Sequence, residues 1–226
     1  DRYGYPDVPA HVFINTSVIA KAPKEYFWAG VGDGISKAPE VEHAVAAAVE
    51  RGVELPHTAV LGAAIAASSK DAFYKYGEQG IKDVENGTVS KAIEEVALDI
   101  VVSTGYASNL VNQDDFYYNS CHAHAFYNAT TAIKKEKEPL HGQVVSFGVM
   151  VLHAYFNELE ELKKVAAFNK KLGLPVTLEE IGLKVSDAEK ITELAMQTNE
   201  YKQTPFDKEK YIEAIKLADR MGSEKI

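Results

Sequence analysis

Apolar positions recur at helical spacing, with a period of about 3.6 residues, along most of the chain, and this pattern predicts helices almost throughout. The exception is near the start. Residues 11–15, His-Val-Phe-Ile-Asn, are β-branched and aromatic and read as a strand running into the cap chemistry of Asn15-Thr16-Ser17. Pro23 suits the first turn of a helix over 24–29, and a glycine-rich break over 30–34 follows. An Ala-rich helix over 41–51 ends at Gly52. Residues 58–85 form one long helix or two. The first half, 59–67, is apolar on nearly all sides and predicts a central buried helix. After the stop at Asn86-Gly87, Thr88 or Ser90 caps a helix with Ile93, Val96, Ala97, Ile100 and Val101 at helical spacing. Residues 103–120 read as a polar, aromatic loop, with Asp114-Asp115 a solvated turn. Helices over 120–137, 142–155, 158–171 and 207–221 complete the pattern, with capping boxes at Thr177/Glu180 and Ser186/Glu189. The expected fold is therefore mainly α, a helical bundle with a short N-terminal strand. An isolated strand is not stable, so this one looks like the end of a sheet whose other strands lie elsewhere.

Composition narrows the class. With 226 residues, 46% of them hydrophobic and 25% charged, the chain can bury a sizeable core. The net charge of −9 argues against a nucleic-acid partner. The longest apolar stretch, residues 59–67, is far short of the ~20 residues a bilayer-spanning helix needs. Cys121 is the single cysteine, which excludes an internal disulfide and any CxxC motif. A reducing compartment and a cytoplasmic location are the expectation, reinforced by a start that lacks the pattern of a secretory leader.

Candidate chemistry centres on the seven histidines. His122 and His124 are two apart on a predicted helix and point to different faces, so at most one of them should ligate a given ion. His141-Gly142 lies where one helix ends and the next begins, a place where glycine leaves room for a ligand. Asp33 is flanked by glycines in Gly30-Val-Gly-Asp-Gly34, which also fits an ordinary helix cap. One carboxylate and two imidazoles from separate segments suit a divalent ion with an open position that polarises an alcohol oxygen. Spacing alone does not select these residues over the others. Gly30-x-Gly-x-Gly34 lacks the glycine spacing and the preceding strand of a dinucleotide fingerprint.

At these residues the chain resembles the glycerol dehydrogenase branch of the iron-containing (group III) alcohol dehydrogenase superfamily. The resemblance is carried by residues 14–23, Ile-Asn-Thr-Ser-Val-Ile-Ala-Lys-Ala-Pro, followed by Gly30-Val-Gly-Asp33. It continues in His124-Ala-Phe-Tyr-Asn128 and in Leu140-His-Gly-Gln-Val-Val-Ser-Phe-Gly148. Gly173-Leu-Pro-Val-Thr177, Pro205-Phe206 and Ala218-Asp-Arg-Met-Gly222 extend it to the C-terminal end. The resemblance implies a dehydroquinate synthase-like helical catalytic domain over residues 23–226, preceded over 1–22 by the end of an NAD-binding domain that is otherwise missing. It implies a metal held by Asp33, His124 and His141, and catalysis through that metal. Lys37 stands where iron-type members place a third histidine, so the resemblance points to Zn2+, with Fe2+ or another divalent ion as the alternative. Tyr127 replaces a common histidine and His122 a small residue, which places both, with Lys37, in the expected substrate pocket. The implied reaction is NAD-linked oxidation of a small, glycerol-like polyol to a ketone, by a homo-oligomer. Two alternatives are sn-glycerol-1-phosphate dehydrogenase or dehydroquinate synthase-like chemistry, and a truncated metal-binding domain without turnover.

Overall fold

A computed structural model describes residues 9–113, 116–136 and 138–224; Asp114-Asp115, read above as a turn, lie outside the described residues. Among the described residues twelve α-helices follow one another: α1 (Thr16–Ile19), α2 (Lys24–Gly34), α3 (Lys37–Glu50), α4 (His57–Glu85), α5 (Lys91–Leu98), α6 (Thr104–Leu110), α7 (His122–Thr131), α8 (His141–Tyr155), α9 (Leu159–Leu172), α10 (Ala188–Ala195), α11 (Asn199–Gln203) and α12 (Lys208–Ser223). A π-helical turn over Asp99–Ser103 joins α5 to α6. The expected mainly-α bundle is what forms.

The expected strand does not. Residues 11–15 pair with nothing among the described residues, and Phe13 is 93% exposed. A strand without a partner has no ladder to hold its backbone groups, so sequence preference alone cannot make one. Asn15 still acts as foreseen, its side chain accepting from the Ser17 amide to cap α1.

The buried helix at the centre is α8. From Val144 to Tyr155 every side chain is buried, and α2, α7, α9 and α12 pack around it. Each fully buried Val, Leu or Phe there contributes about 1.5–3 kcal/mol relative to exposure. The stretch 59–67, expected to be central, lies in the first half of α4, where Val60 and Leu61 remain about half exposed because none of the described residues covers them.

Three further expectations are corrected. The glycine-rich stretch 30–34 does not break the helix but forms the last turns of α2. The first part of the expected loop over 103–120 is helical, as far as Leu110, and the π turn adds a residue that carries Val101 outward to 46% exposure. Of the two capping boxes, Thr177 and Glu180 exchange their hydrogen bonds as expected. At the second position it is the Lys184 amide that donates to Asp187 instead.

Candidate metal centre

Three helices deliver the candidate ligands. Asp33 sits in the last turn of α2, His124 in the first turn of α7, and His141 opens α8. Their contact depends on glycines at helix crossings. A Cβ built on Gly142 would lie 1.7 Å from the carbonyl oxygen of Ala29, and one on Gly32 would lie 2.4 Å from that of Gly142. α2 and α8 therefore cross backbone to backbone, which sets Asp33 beside His141. Gly148 plays the same part between α8 and α7, where a Cβ would lie 2.5 Å from the Ala123 carbonyl oxygen. The glycine beside His141 thus serves helix packing rather than ligand access.

The resulting geometry is compact. Asp33 Oδ1 lies 3.2 Å from His141 Nε2 and 3.5 Å from His124 Nε2. One donor atom from each of the three residues fits within 4.8 Å of the others, the single such group of histidine, cysteine or carboxylate side chains among the described residues. His124 is mostly covered, with 18% of its side chain exposed, whereas the side chains of Asp33 and His141 are 41% and 42% exposed. The cluster is therefore anchored in the protein on one side and open on the other, as a site with a free coordination position requires.

Glu40, on α3, was not singled out from sequence. It is fully buried, and its carboxylate accepts from the His124 and Cys121 amides and lies 2.5 Å from His124 Nδ1. That contact fixes the ring and leaves Nε2 for Asp33 or an ion, the usual arrangement behind a metal-binding histidine. Burial opposes charge on His124, but Glu40 and Asp33 outweigh it and lift its pKa to about 10. Burial pushes Asp33 upward, yet hydrogen bonds from both imidazoles prevail and hold its carboxyl well below the usual range. The only sequence signal for Glu40 was a carboxylate set among Ala38, Pro39 and Val41, which the structure buries.

The remaining candidates fall in different places. The Tyr127 ring meets His141 edge to face at 4.2 Å between centroids, which puts it at the site. Lys37 is buried and committed: its ammonium donates to the carbonyl and side-chain oxygens of Asn119, at 3.1 and 2.7 Å. Burial lowers its pKa, with Glu40 and Asp33 opposing that shift. His122 is 2% exposed and enclosed by Tyr155, Phe156, Phe206 and Tyr211, so it belongs to the core rather than to a pocket beside the cluster.

Comparison with known proteins agrees with the resemblance noted in the sequence. No family model matches the chain. It is 30% identical over 230 residues to a glycerol dehydrogenase of Citrobacter freundii, covering 97% of this chain and 60% of that one. It is 29% identical to a glycerol dehydrogenase of Thermotoga maritima, covering 96% of this chain and 59% of the relative. The crystal structure of glycerol dehydrogenase from Schizosaccharomyces pombe superposes with a TM-score of 0.76 at 26% identity, covering 93% of this chain and 54% of that one. The chain is glycerol dehydrogenase-like in both sequence and fold, and it spans about three fifths of the length of the curated relatives it matches.

Proposed function

We propose that this chain is the metal-holding helical part of an NAD-linked dehydrogenase acting on a small, uncharged polyol. The observation that carries the reading is the convergence of two imidazole Nε2 atoms on one oxygen of Asp33, with Glu40 buried behind His124. A carboxylate and two imidazoles with an open side are the donor set of a catalytic zinc site, and the residues present fit that ion. A zinc or similar divalent ion there would act as a Lewis acid that lowers the pKa of a coordinated alcohol.

The chain's own residues prepare this. Glu40 holds the tautomer and ring plane of His124. Asp33 lends negative charge on the open side, and Tyr127 buttresses His141 and narrows the approach. Lys37 is buried and spends two of its three N–H donors on Asn119, which leaves it poorly placed to hold a phosphate and favours an uncharged alcohol over a phosphorylated one. The nicotinamide needs a second set of elements. Gly30 to Gly34 lie inside α2 and pack against Gly142, Phe73 and Ile100, so they form no turn that could cradle a pyrophosphate.

On this reading, residues 1–226 loaded with zinc form no NADH from glycerol alone. Fused to the nucleotide-binding portion of the Citrobacter freundii relative, they do, and His141→Ala abolishes that activity. Turnover in the fused protein that is indifferent to both Asp33→Asn and His141→Ala would overturn the reading.

A further inference from the structure

A cavity of about 350 Å³ lies between α4 and the π turn, away from the histidine cluster. Its wall includes Ser68, Asp71, Lys75, Glu95, Asp99 and Ser103. Asp99 is the first residue of the π turn and only 5% exposed. Ser103 lies near enough to favour the charged carboxylate, yet Oδ2 has no hydrogen-bond partner. A buried carboxylate oxygen without a partner is costly, and native structures compensate such groups with a proton, a cation or water. Lys91 pairs with Glu95 at 3.9 Å, and the ammonium of Lys75, in the cavity wall, lies over the Tyr76 ring, 4.9 Å from the centroid. Burial raises the Asp99 pKa to about 6, with Ser103 opposing and Asp71 adding to the rise, so at neutral pH the carboxyl is mostly charged.

We propose that this cavity binds a hard divalent cation such as Ca²⁺ through the Asp99 and Asp71 carboxylates and the Ser68 and Ser103 hydroxyls. The donor set is all oxygen, which separates it in metal preference from the imidazole-rich cluster. Two carboxylates and two hydroxyls leave several of the 6–8 positions around calcium to water, so the affinity is modest, on the order of 10⁻⁴–10⁻³ M. The ion would brace the π turn, whose Ile100 packs on Gly30 of α2.

The test uses Ca²⁺ and Tb³⁺ as probes. About 10 mM Ca²⁺ raises the melting temperature by roughly 3–7 °C in the unmodified chain and in His141→Ala. Asp99→Asn loses the response and Asp71→Asn weakens it. Tb³⁺ luminescence excited through tyrosine appears, is displaced by excess Ca²⁺, and drops in Tyr76→Phe. The absence of both signals, or a Ca²⁺ shift that survives Asp99→Asn, would overturn the proposal. An Asp99→Asn variant that melts higher, in a protein that never responds to Ca²⁺, would also overturn it and show the carboxyl to be compensated by a proton.

Discussion

Gly142→Ala is a one-methyl perturbation whose consequence follows from the crossing of α2 and α8. In an exposed helix interior the change would stabilise by up to about 1 kcal/mol, because alanine loses less backbone entropy. Here the new Cβ would lie 1.7 Å from the Ala29 carbonyl oxygen and 2.9 Å from the Asp33 amide nitrogen. Both neighbours are backbone, so no side chain can turn away. Contacts of this kind essentially never fall below 3.0 Å, so the helices must part locally by at least about 1.3 Å. Overpacking of this kind costs about 1–3 kcal/mol, which exceeds the propensity gain and lowers the melting temperature by several degrees. The same displacement moves Asp33 away from His141. Metal–ligand bonds near 2 Å tolerate only a fraction of that shift, so zinc affinity falls by at least about tenfold. The assay is competition for Zn²⁺ against a chromophoric chelator, read beside thermal melting. Gly105→Ala is the control: it is helical with nothing within 4 Å of the added Cβ, and it leaves zinc affinity unchanged. Unmodified stability and zinc affinity in Gly142→Ala would refute the close-crossing argument.

Glu40→Gln keeps the shape behind His124 but removes the charge that fixes its ring, and chelator competition should show zinc affinity falling roughly 10–100-fold. His43→Ala, whose ring stacks on Phe156 and pairs with Glu158, should leave zinc content unchanged by elemental analysis. His122 is held at a pKa of about 3, chiefly by burial and further by His43. The unfolded chain takes up its proton near pH 6.5 while the folded chain does not, so His122 contributes a loss of stability as pH falls from about 6.5 toward 3. In His122→Phe that contribution should disappear in a series of melts across this range, with zinc binding intact.

Much of the candidate site was legible because its chemistry is spelled in side chains. His122 and His124 cannot face the same way from one helix, and the structure divides them, His124 to the cluster and His122 into an aromatic enclosure. What sequence could not show was the work done by packing. Gly30, Gly32 and Gly34 read as a break because glycine has poor helix propensity; the structure keeps them helical where Ile100, the Gly142 backbone and the Phe73 ring leave no room for a Cβ. The stretch 59–67 read as central because periodicity reports apolar faces, not what covers them. The π turn left no mark in spacing, so Val101 was placed on the wrong face. Glu40 escaped notice because its role depends on α3 lying against the start of α7, a contact between residues 81 and 84 positions apart.

The central claim is that Asp33, His124 and His141 share one ion. Zinc-edge X-ray absorption on the zinc-loaded chain, compared with His141→Ala, tests this most directly. The account predicts two imidazole nitrogens at about 2.0–2.1 Å, oxygen donors beside them and no sulfur, with one imidazole lost in the variant. A shell containing sulfur, or one unchanged by His141→Ala, would contradict it.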